Sequence, residues 1–200
     1  MSGQRNNGMN CALTTLIRSF AVFALGAVPM MTALPMMGGE AVPGTRQIFD
    51  KQLSAAERDV MELVAAMPPN KFDFVPTDGA FKNVRTFGVQ ARHIAFCLNE
   101  VAIALLGEPM LPHPDQEGPR TVTGRDDIVR YLKDAFAHAH RAIGTLTNEN
   151  LLEQIADPYS EKLKTTRLEA AGIFLSHTYD HYGQMVEYLR MNNVVLPGHQ

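Results

Sequence analysis

The sequence predicts an all-α fold, a four-helix bundle preceded by an N-terminal signal-like segment. Three observations carry this. Four long runs repeat apolar residues at spacings of three and four. Stretches rich in proline and glycine separate them, and no run makes a convincing strand. Helices joined by short and medium loops bury their apolar stripes best against one another. Composition agrees: of 200 residues, 46% are apolar and 20% charged, as in a soluble globular chain.

Residues 1–41 stand apart. Arg5 and Arg18 precede an uncharged run from Ser19 to Gly39, and Gly39 and Ala41 supply small residues for a cleavage site. That is the layout of a secretory signal peptide. The run approaches membrane-spanning length, so an uncleaved anchor is the alternative. No lipobox cysteine follows it. The expected location is therefore periplasmic or secreted if the signal is real, and cytoplasmic otherwise. A membrane is a partner only if the segment stays uncleaved.

The bundle domain spans residues 46–198. Helix 1 covers about 46–67, where Ser54 and Glu57 form a capping box pattern and Pro68-Pro69 stops the helix. Helix 2 runs from Phe81 to Gly107, with Val84, Phe87, Ala91, Ile94, Leu98, Val101 and Leu105 on one stripe. The proline-rich stretch 108–124 is a long loop. Helix 3, 124–146, turns Ile128, Leu132, Ala135, Phe136, Ala139 and Ile143 inward. A helical turn near "NENLLEQI" and a connection through "ADPYSEKLKT" lead to helix 4, from about Thr166 to Asn192.

Bulk charge excludes some functions. A net charge of -3 without a Lys/Arg cluster gives no field for nucleic acid. Two cysteines, Cys11 and Cys97, make no disulfide framework. No phosphate loop, dinucleotide fingerprint or Ser-His-Asp set is present.

The chemistry rests on histidine. His177 and His181 are four apart in "SHTYDHYGQMVEYLR" and share one helix face. His93 sits beside the apolar stripe of helix 2. Three neutral imidazoles with an open fourth position make a catalytic zinc pattern. Spacing alone leaves the alternative of hydrogen-bonded core histidines open, because the Glu of H-E-x-x-H is missing. His138 and His140, two apart, point about 200° from each other on a helix and cannot share an ion from one element. They read as peripheral, as do His113 and His199. Gln184 follows on the face of His177 and His181, placed to orient a reactant or simply to be a polar surface position. Gln90 and Cys97 flank His93 on its side of helix 2. Cys97 is either a fourth ligand or a small buried hydrophobe. Glu100, one turn on, either steadies a ligand histidine or is a surface or salt-bridge residue.

"FGVQARHIAFCLNEVAIALLG" together with "LSHTYDHYGQMVEYLRMNNVVLPG" resembles the DinB-like family, the DinB/YfiT superfamily of four-helix bundles, over roughly residues 46–198. The resemblance implies an up-down-down-up bundle holding one divalent ion, usually zinc or nickel, on His93, His177 and His181. It implies a metal-dependent hydrolase or a thiol-dependent transferase acting on a small molecule, with a non-catalytic metal-binding or stress-linked protein as the alternative. Homodimers are frequent in such a family. An exported domain departs from the family's thiol-using members, which work in the cytoplasm.

Overall fold

The computed structural model of the chain describes residues 43–109 and 116–196. The signal-like segment 1–41, His113 and His199 lie outside the described residues. Four helices form as the apolar periodicity requires: α1 (Thr45–Ala66), α2 (Phe87–Leu106), α3 (Arg125–Ile143) and α4 (Arg167–Met191). A 3₁₀ turn, Pro69–Lys71, follows α1. A two-stranded antiparallel hairpin, β1 (Gln154–Asp157) and β2 (Ser160–Thr166), precedes α4.

Side-chain pairings give the helix directions. Asp50 meets His140, and the Ala65 carbonyl meets Arg125, so α1 and α3 are antiparallel. Gly88 lies against Ile128, and Asn99 bonds His138, so α2 and α3 run parallel. Gln90 bonds Gln184, and the Leu105 carbonyl bonds Arg167, so α2 and α4 are antiparallel. The topology is up-down-down-up. α2 packs on α3 and α4, and α1 closes the ring against those same two helices.

α2 is the central helix. Its length and apolarity would suffice to cross a membrane, but here that surface is buried in the bundle. A helix apolar on nearly every side belongs in a core. Thr86 caps its start by accepting the Val89 N–H at 3.2 Å, and Gly107 ends it at φ 68°, a left-handed turn that glycine adopts without strain. All six inner residues expected of α3 are buried.

The structure departs from the sequence expectations in four places. Helix 2 begins at Phe87 rather than Phe81, because Asn83 takes a left-handed φ of 67° that no α-helix contains. Val84 therefore lies outside the core stripe, 37% exposed. Ser54 is no cap: it sits inside α1 and its hydroxyl donates to the Asp50 carbonyl at 2.9 Å. The working capping box is Thr166 with Glu169, at the start of α4. Finally, "NENLL" makes turns, and the hairpin takes in Gln154 and Ile155 together with "ADPYSEKLKT". Its strands carry two large apolar side chains, Ile155, partly buried against the core, and Leu163, which is 59% exposed, and a single inward residue wrote no period of two into the sequence. The turn rests on local chemistry, with the Asp157 carboxylate accepting the Tyr159 N–H at 2.9 Å.

Candidate metal centre

The buried polar side chains of α2 are held from outside the helix. Arg92 donates through Nε to the Glu117 carbonyl at 2.6 Å and through Nη1 to the Val122 carbonyl at 2.9 Å. His93 Nδ1 donates to the Gln116 carbonyl. Residues 116–122 are thus strapped across α2. Gly118, at φ +73°, lets the strap lie close: a Cβ there would sit 3.2 Å from that of Phe96.

The Gln116 contact sets the tautomer of His93. A carbonyl only accepts, so Nδ1 carries the proton and Nε2 presents a lone pair. That lone pair looks toward α4. His177 Nε2 is 3.2 Å from His93 Nε2 and 3.0 Å from His181 Nε2. The rings meet edge to face or tilted, with centroids 4.5–5.0 Å apart. His93 and His181 are 3% and 7% exposed, and His177 is half-buried.

No assignment of protons satisfies this trio. If His177 Nε2 carries hydrogen, it donates to one neighbour and leaves the other without a bond. If it does not, it faces the His93 lone pair. A cation between the rings removes the conflict, since three nitrogens in a tetrahedral zinc site lie about 3.3 Å apart. Protonation is resisted as well. Burial lowers His93 to a pKa of about 4, against the help of the Gln116 carbonyl. His181 falls to about 4 by burial and by the neighbouring His93 and His177, and His177 is lowered chiefly by burial. Neutral imidazoles at physiological pH are nitrogen donors suited to zinc, nickel, copper or iron. The residues therefore fit a divalent ion. One atom departs from the usual pattern: His181 Nδ1 is buried without a hydrogen-bond partner among the described residues, so nothing there fixes its tautomer.

His93, Cys97 and His177 form a cluster whose donor atoms lie within 4.8 Å of one another, an arrangement able to hold an ion. Yet Cys97 Sγ is 3.7 Å from both nitrogens of the His93 ring. Equal distances place sulfur beside the ring rather than ahead of the Nε2 lone pair. Burial also raises the thiol to a pKa of about 12. Cys97 bonds the Tyr159 side chain, which the hairpin turn carries to a ring separation of 6.4 Å from His177. Between them, a void of about 10 Å³ is at the lower limit for one water.

Other candidate residues fall as follows. Gln184 is exposed; its carbonyl accepts from Gln90 at 2.6 Å, and its amide donates to Asp180 at 3.1 Å. Glu100 is 1% exposed, a core residue rather than a surface one. His138 bonds Asn99 and Glu108, and His140 bonds Asp50 and Glu57, away from the cluster and on different helix pairs. Sequence reasoning missed Gln116 and Tyr159. "DPYS" was a usable turn signal for Tyr159. A backbone carbonyl such as that of Gln116 leaves no residue-type signal at all.

Comparison with known proteins agrees with this architecture. Residues 52–185 match the family model described as the DinB superfamily. Among solved structures, a DinB-like protein from Bacillus cereus superposes with a TM-score of 0.60 at 14% identity, covering 76% of this chain and 95% of that one. A conserved protein from Enterococcus faecalis superposes with a TM-score of 0.59 at 16% identity, covering 75% and 98%. At such identities these structures share the fold. Among curated proteins, none matches the chain. The chain belongs to the DinB superfamily.

Proposed function

We propose that His93, His177 and His181 hold one divalent ion, zinc or nickel, with a coordination position left open, and that the protein is a metal-dependent hydrolase or transferase acting on a small molecule. The observation that carries this is the convergence of three Nε2 atoms at 3.0 and 3.2 Å in a trio that protons cannot satisfy. When bound, such an ion supplies Lewis acidity, polarising a carbonyl or easing loss of a proton from water or a thiol. The chain's own contribution is positional. Gln116 fixes the His93 ring, the α4 backbone sets His177 and His181 one turn apart, and the hairpin shields the cluster on its Tyr159 side. Gln184, tied to Gln90, is placed to orient a reactant entering along the α2–α4 seam. Export, which the segment 1–41 supports, would remove the domain from the cytoplasmic pool of reduced thiols and so favours hydrolysis over thiol transfer.

A second reading is a non-catalytic metal-binding protein, favoured by Cys97 beside His93 and His177. A turned Sγ would close the open position. Elemental analysis of tag-free protein, beside His93→Ala/His181→Ala, tests the shared part: one ion per chain, lost in the variant, is expected. No ion in either sinks both readings. Cobalt(II) then separates them, because a thiolate charge-transfer band in the near ultraviolet would reveal Cys97 as a ligand and favour the closed site.

A further inference from the structure

One turn beyond the imidazoles, at the α2 start and the α4 end, the Gln90–Gln184 bond forms the inner wall of a cleft of about 630 Å³. One flank is apolar. Phe81, Val84 and Met191 are 37%, 37% and 50% exposed there, and Tyr188 lies beside them. The residues before α2 that broke the expected helix are those that shape this flank.

The charges of the cleft do not balance. Glu187 is paired with Arg190 at 2.7 Å. Glu117 is shared by two guanidiniums, at 3.8 Å from Arg85 Nε and 4.0 Å from Arg92 Nη2. Arg92 is buried and already bonded to two carbonyls. Arg85 Nε is buried without a hydrogen-bond partner among the described residues, and its side chain stays 30% exposed at the cleft. Among the described residues, one positive charge is left over in a pocket with an apolar side, and the carboxylate nearest to Arg85 Nε, that of Glu117 at 3.8 Å, lies beyond hydrogen-bond range.

We propose that this cleft binds a small molecule pairing a carboxylate with an apolar body, the carboxylate held by Arg85 and the body against Phe81, Val84, Tyr188 and Met191. Guanidinium and carboxylate match in geometry, and charge-assisted bonds are the strong ones. The inference rests on the metal-site reading only in turning the ligand's other end toward the imidazoles. It deepens that reading to a class of substrate, an amphipathic carboxylic acid derivative.

Calorimetric titration of the tag-free chain with octanoate and 4-phenylbutyrate, against octanamide and octylamine, tests it. At least one carboxylate should bind ten times more tightly than the neutral and cationic controls. Arg85→Met should weaken it about tenfold or more, while Arg85→Lys keeps most of the affinity. Thermal melting of both variants checks that they are folded. Equal binding of octanoate and octanamide, no binding of either carboxylate, or unchanged binding in Arg85→Met overturns the proposal. So does binding that survives Arg85→Met but disappears when zinc is removed, since the carboxylate then sits on the ion. Arg85-dependent binding in protein shown to hold no metal would leave the cleft standing while the metal centre falls.

Discussion

Two groups of histidines occupy this bundle, and their neighbours make them different. On the α2–α4 seam, His93, His177 and His181 face one another, with no carboxylate contact among the described residues, and burial disfavours their protonation. On α3, His138 and His140 each face a carboxylate, Glu108 in one case and Asp50 with Glu57 in the other. An imidazole against a carboxylate has a hydrogen-bond partner. Imidazoles against imidazoles are complete only with something between them. The contrast shows that histidine content is uninformative and the partner of each ring nitrogen is decisive.

The largest effect breaks the comparison if it fails. His177→Ala should lower zinc or nickel from one per chain to almost none by elemental analysis, while His140→Ala leaves it at one. Equal loss in both would mean that the ion is not on the α2–α4 seam.

Acidity sharpens the contrast next. In the unfolded chain these imidazoles take a proton near pH 6.5, and in the fold His93 and His181 resist until about pH 4. Between those values the unfolded state binds more protons, so stability rises with pH there and is lost as pH falls from about 6.5 to about 4. Melting temperatures of the metal-free protein should trace this slope. The slope should flatten in His93→Ala/His181→Ala and persist in His138→Asn.

The strap gives a smaller effect. Gly118→Ala puts a side chain at a left-handed φ against Phe96 and should cost about 1–2 kcal/mol by chemical unfolding. Metal affinity should fall with it, because the strap carries the carbonyl that orients His93. Cys97→Ala is smallest: about 1 kcal/mol of lost packing, with metal stoichiometry unchanged. Loss of the ion in this variant would move sulfur into the ligand set.

The sequence makes much of this legible for a physical reason. Long amphipathic helices such as α3 write their burial into a repeat, and all six inner positions of α3 were readable in advance. His177 and His181 were readable because helical spacing fixes which side chains share a face. His93 could be placed on a helix, but not facing α4, since that depends on how two helices meet. The hairpin was invisible because its strands turn only one large apolar side chain, Ile155, toward the core, and Gln116 because it acts through its backbone. Arg85 escaped notice because its surplus charge appears only when Glu117 is seen shared with Arg92.

His93 and His177 are 84 residues apart along the chain, and the strap, α3 and the hairpin all lie between them. Whatever bridges their nitrogens also ties a loop of that length. Fastening a long loop removes freedom mainly from the unfolded chain, with a weight that grows as the logarithm of its length. An ion held on this seam would therefore be a clasp, and chelation should speed proteolysis of the region between the two histidines.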